Sequence, residues 1–212
     1  MPNEPEEPQE PEEPTGHWAT AVISGPSQAK PGQNITLDIG VTDVVYGFTV
    51  LDATILYDPS LIEFELVQDG QGKWSLADEA IRSNRQHMQV IATAVRPDDG
   101  QIRLIAIVSG EEHAIADSGS LISLLGKVRD NASEGDTQVS IDQFEVSRNG
   151  KAGTVGLTGA STHTIQIDLN IPVPVPADKT ALGQTIRDVE ELLASTVEGN
   201  KLGQYRTGSK AE

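Results

Sequence analysis

Between positions 47 and 64 the chain reads GFTVLDATILYDPSLIEF, and this stretch limits what the remainder can become. Side chains of an extended strand alternate between two faces. From 49 to 57 one parity carries Thr49, Leu51, Ala53, Ile55 and Tyr57, and the other carries Val50, Asp52, Thr54 and Leu56. The first set is mostly apolar and the second is mixed, as in a strand with one face on a core. Asp58-Pro59-Ser60 then stops the strand, because Asp closes a turn with its own side chain and Pro has no N–H for a ladder. The chain resumes at once with Leu61, Ile62 and Phe64. A long strand, a sharp corner and a short strand predict an all-β body.

The flanking sequence repeats the pattern. Residues 18–24 form a short apolar run, and 34–41 alternate Ile35, Leu37, Ile39 and Val41 with polar residues. Residues 89–96 read as a strand, and Pro97-Asp98-Asp99-Gly100 as the hairpin turn after it, since Asp-Gly tolerates positive φ. Residues 101–109, QIRLIAIVS, are almost continuously apolar, as expected of a central strand. Residues 120–129 read as a strand with Gly126 as a candidate bulge. Residues 137–146 supply another strand or two, 148–159 are Gly-rich, and 161–168 close the set. Residues 73–84, with Trp74, Leu76, Ala80 and Ile81, read as a short helix or an irregular loop. Eight or nine strands at this spacing predict two antiparallel sheets packed face to face, a mainly β jelly-roll sandwich over 18–169.

The ends differ. Over 1–17, Pro2, Pro5, Pro8, Pro11 and Pro14 recur every third residue with Glu between them. That is the period of polyproline II, and like charges extend it further, so 1–17 reads as an acidic spacer. A spacer here implies a preceding domain. NIPVPVP within 170–177 reads as a second stiff linker. Over 178–212, Asp178 reads as an N-cap, and Leu182, Ile186, Val189, Leu192 and Leu193 fall on one face of a C-terminal amphipathic helix.

Several function classes recede. A net charge of −17 argues against nucleic acid and anionic membrane surfaces. The absence of cysteine excludes disulfides and thiolate metal sites. No apolar run approaches the roughly 20 residues of a membrane span. His17, His87, His113 and His163 are scattered in sequence, with no second ligand at short spacing. Asp98-Asp99-Gly100 lacks the remainder of a calcium loop. No phosphate-binding loop, zinc-protease motif or nucleophile elbow is present. Aromatic residues that grip sugar rings are scarce, and Trp18 and Trp74 are both expected in the core.

The strings ISGPSQAKPGQNITLDIGV (23–41), ATILYDPSLIEF (53–64), IRLIAIVSG (102–110) and GSLISLLGKVR (119–129), in this order, resemble a cohesin, a dockerin-receiving module. DKTALGQTIRDVEELLAST and GNKLGQY, within 178–212, resemble the start of a FIVAR module. The cohesin resemblance implies a non-catalytic, secreted or cell-surface, monomeric module whose partner is a dockerin. It implies no cofactor in this chain, with calcium belonging to the dockerin. It also implies partner contacts at Val50, Asp52, Thr54, Arg96, Ala106 and Ser109. A carbohydrate-binding sandwich and an inert spacer within a glycoside hydrolase are the alternatives.

Overall fold

The computed structural model describes residues 16–170. Fourteen strands make up the body: β1 (His17–Ser24), β2 (Gln28–Ala29), β3 (Asn34–Thr42), β4 (Val50–Leu56), β5 (Ile62–Phe64), β6 (Leu66–Gln68), β7 (Trp74–Leu76), β8 (Ile81–Ser83), β9 (Met88–Arg96), β10 (Gln101–Val108), β11 (Gly119–Val128), β12 (Gly135–Arg148), β13 (Lys151–Leu157) and β14 (Thr162–Ile167). Among the described residues the helical pieces are three short 3-10 turns, Asp78–Ala80, Glu111–His113 and Gly159–Ser161. The mainly β expectation therefore holds. The expected C-terminal helix and the FIVAR resemblance lie outside the described residues, as do residues 1–15 of the 1–17 acidic spacer and most of the second linker, whereas His17, assigned to that spacer, opens β1.

The two sheets expected as separate bodies are joined. Hydrogen bonding runs in one path, β5-β11-β3-β1-β13-β12-β4-β10-β9-β7-β6, with β14 on β12 and β2, and β8 on β11. The seam is β13, which pairs antiparallel with β12 and parallel with β1. Its Gly-rich sequence, which carried no strand signal, is what lets it pass. A Cβ on Gly153 would lie 1.9 Å from the ring of Trp18, and one on Gly156 would lie 2.8 Å from the ring of His17. Trp18 is buried, and its ring meets Tyr46 edge-on at 4.6 Å between centroids.

The core forms where inward parities converge. Leu37 and Ile39 of β3, Ile122 and Leu124 of β11, Leu51 and Ile55 of β4, and Ile102 and Leu104 of β10 are all fully buried. On β4 the whole inward parity is buried, Thr49 and Tyr57 at its ends included. Each large aliphatic side chain so buried contributes about 1.5–3 kcal/mol relative to exposure.

The YDP corner is tied from both sides. The Asp58 carboxylate accepts from the Ser60 N–H at 2.8 Å and from the Ser60 hydroxyl at 2.6 Å. The Arg129 Nε donates to the Pro59 carbonyl at 2.7 Å. Tyr57 sets its ring edge-on to Phe64 at 5.0 Å. Burial pushes the Tyr57 phenol up from its ordinary value, and the charge of Arg129 partly opposes this. The Tyr57 N–H donates to the Gly100 carbonyl at 2.8 Å, so the corner and the β9–β10 turn are locked together.

Two local expectations are corrected. Residues 73–84 fold as strand, 3-10 turn and strand, because Trp74–Leu76 pairs with Leu66–Gln68 and Ile81–Ser83 pairs with β11. On β11 the register shift falls between Ser120 and Ile122, not at Gly126. Gly126 instead leaves room for the Phe64 ring, which a Cβ would approach to 2.8 Å.

Candidate recognition face

Strands β12, β4, β10 and β9 lie side by side, and their outward parities form one surface. Across it, Asp52 stands opposite Ile105 of β10 and Glu145 of β12, and Ile105 stands opposite Ala92 of β9. Asp52 and Glu145 thus place two carboxylates directly across a strand pair, an unfavourable arrangement by itself. Arg103, one diagonal step away on β10, offsets it. Its Nε donates to Asp52 Oδ1 at 2.9 Å, and a second guanidinium nitrogen donates to Oδ2. The Asp52 hydrogen bond and charge, with a smaller contribution from Glu145, hold the guanidinium above its ordinary pKa. Arg103 is 59% exposed and Asp52 26%, so this fork is open to a partner. Ile105 and Ile107 of β10, Val50 and Leu56 of β4, and Ala92 and Ala94 of β9 give the surface partly exposed apolar ground.

The expected contact residues divide. Val50 and Asp52 lie half-buried on the outward parity of β4. Thr54 shares that parity but is only 5% exposed, because it sits between Arg103 and Gln143, whose long side chains flank it. Ala106 is corrected outright: it is fully buried, on the inward parity with Ile102, Leu104 and Val108. Arg96 and Ser109 are exposed, but at opposite ends of the sheet. Arg96 pairs with Gln101 at the hairpin end, and the Ser109 N–H donates to the His87 carbonyl at the other. The eight residue steps from Gln101 to Ser109 span about 27 Å, so no small ligand reaches both.

Arg103, Ile105 and Glu145 escaped the sequence reading. The signal for Arg103 was present: counting parity outward from it gives Ile105 and Ile107 on one face, and Ala106 on the other. It was masked because β10 is apolar on both faces.

Two of the four scattered histidines meet in the fold. His87 and His113, far apart in sequence, stack ring on ring at 3.6 Å between centroids and 5° between planes. This stack pins the Glu111–His113 turn to the segment entering β9. Arg148 holds the same turn from β12 by donating to Glu111 at 2.7 Å. Among the described residues no group of three or more His, Cys, Asp or Glu side chains is gathered as metal ligands would be.

Comparison with known proteins adds the following. The family model described as "Cohesin domain" matches residues 19–167. A protein named gellan lyase from Bacillus sp. is 32% identical over 185 residues, which cover 87% of this chain. The chain spans only 7% of that relative's length. Among solved structures, a cohesin module from a Clostridium perfringens family 33 glycoside hydrolase superposes with a TM-score of 0.56 at 12% identity, covering 72% of this chain and 98% of that one. A type I cohesin from Pseudobacteroides cellulosolvens gives 0.51 at 18% identity, covering 74% and 96%. A type I cohesin–dockerin complex from Clostridium thermocellum gives 0.50 at 18% identity, covering 70% and 99%.

Proposed function

Since this chain belongs to the cohesin domain family, we propose that it is a non-catalytic module that captures a dockerin on the outer surface of β12, β4, β10 and β9. The observation that carries this reading is the open Asp52–Arg103 fork set among Val50, Leu56, Ile105 and Ile107. Protein interfaces concentrate their energy in such places, where a few hydrogen-bonding groups sit within apolar ground and the rim excludes water. The length of the face favours a macromolecule. A partner helix would need roughly 18 residues to run from Arg96 to Ser109. Val50, Asp52, Arg96 and Ser109 remain the contacts of this reading, joined now by Arg103 and Ile105. Glu145 leaves one carboxylate beyond what Arg103 neutralises, so the partner surface carries a donor or a basic group there.

In this reading the fold is a jelly-roll sandwich of two sheets with β13 as its seam. The module acts as a monomer outside the cell, and the calcium of the complex belongs to the dockerin. The similarity to a gellan lyase supports service in a polysaccharide-degrading protein. The test is calorimetric titration with dockerins encoded by the same organism. Asp52→Ala and Arg96→Ala should weaken capture and leave thermal unfolding nearly unchanged. Unaltered capture by both variants would discard this face.

A further inference from the structure

Trp74 departs from the core role expected of it. It lies at the start of β7, bridges to Val95 of β9, and is 38% exposed, whereas Trp18 is 3% exposed. Large aromatic side chains bury 150–250 Å² when they pack, so an open one on a short strand next to the sheet edge is costly to solvate. Trp74 borders a surface depression of about 580 Å³, whose wall is the β9–β10 turn. Lys73, Arg96, Asp98 and Asp99 are the charged residues of its lining. The side chains of Arg96, Asp98 and Asp99 make no hydrogen bond or ion pair among the described residues. The turn that carries them is fixed, because Gly100, at φ +62°, is held by the Tyr57 N–H.

We propose that this depression binds a neutral pyranose unit of a polysaccharide. A pyranose ring has an apolar face of C–H groups and a rim of hydroxyls. Each hydroxyl donates one hydrogen bond and accepts others. Trp74 supplies a flat aromatic surface for the C–H face. Asp98 and Asp99 accept from hydroxyls, and Arg96 and Lys73 donate to them. The pairing of two acceptors with two donors matches hydroxyls better than it matches a charged group. The field of a chain carrying −17 repels polyanions, which favours a neutral saccharide over an acidic one. The site borders the recognition face through Arg96 and Ala94, and Trp74 lies outside that face.

Native affinity electrophoresis of the full chain tests this, in gels holding hydroxyethylcellulose, galactomannan or, as the acidic arm, polygalacturonate. The expected result is retardation in a neutral gel. Trp74→Ala should weaken it by up to about tenfold, as loss of one stacked aromatic contact does, and the loop variant Asp98→Asn/Asp99→Asn should also weaken it, through loss of the charge-assisted acceptors. Trp18 is shielded, so acrylamide quenching reads Trp74 almost alone, and the matching oligosaccharide should protect it. Dockerin capture should survive Trp74→Ala. No retardation in either neutral gel, retardation only by polygalacturonate, or retardation untouched by both variants would overturn the proposal. Loss of saccharide and dockerin binding together in Trp74→Ala would overturn it too.

Discussion

Arg103 on β10 reaches diagonally across to Asp52 on β4 and grips it with two guanidinium nitrogens, while Glu145 on β12 faces the same carboxylate from the other side. One cation therefore lies in the field of two anions on an exposed sheet. Arg103→Ala should weaken dockerin capture at least as much as Asp52→Ala, since it also leaves two facing carboxylates unrelieved. Adding Glu145→Gln to Arg103→Ala should restore part of the loss. Isothermal titration at two salt concentrations checks this, with the larger effect expected at low salt.

Ala106 is enclosed by the core, so enlarging it should disturb packing and not recognition. Ala106→Leu is expected to destabilise the fold by about 1–3 kcal/mol, the usual cost of extra methylenes in a packed interior. Urea denaturation reads the loss. Under native conditions the folded fraction should keep its dockerin affinity, whereas Ile105→Asp on the opposite face should reverse the pattern.

These two neighbours show how far the sequence could be followed. On β4 the alternation of Leu51, Ala53 and Ile55 with Asp52 made the buried parity legible, and all of it is buried. On β10, Leu104, Ile105, Ala106 and Ile107 are apolar in succession, so period two vanishes and the face of each residue is set only by its partners. Thr54 had the right parity, and its cover comes from Arg103 and Gln143, both distant in sequence. The glycines of β13 read as a loop because their value lies in Trp18 and His17, more than a hundred residues away. The stacking of His87 on His113 is equally a product of folding, with no local signature.

Gly100 should tolerate no side chain. Its φ of +62° is left-handed, and a Cβ would fall 2.0 Å from the Tyr57 carbonyl oxygen. Gly100→Ala is expected to cost roughly 2 kcal/mol or more, from the left-handed backbone together with the displaced corner. The fall in urea midpoint measures it. Amide exchange should rise first at Tyr57, whose N–H is bonded to this residue.

The loop after β6 should be sensitive to acid. Asp69 accepts from the Lys73 and Gln71 N–H groups at 2.9 and 2.8 Å, and these bonds, Lys73 foremost, hold its carboxyl below the ordinary 3.8. A carboxyl lowered on folding stabilises the folded loop above the ordinary value, and that contribution fades as pH falls through the lowered one. Amide exchange at Gln71 and Lys73, compared between pH 5 and pH 2.5 after correction for intrinsic rates, should lose protection at the acid end. Asp69→Asn should abolish that pH dependence.

The seam strand has a mechanical consequence. His17 of β1 aligns with Thr154 of β13, and Ala21 with Leu157, both strands running the same way. A second parallel pair sets Ala29 of β2 beside Ile167 of β14. Tension drawn along the backbone, entering before His17 and leaving after Ile167, must slide these rungs past one another together, because parallel neighbours offer no end from which to peel. A module tethered between other segments in moving fluid would thus hold its shape under a load that would unzip a simple hairpin.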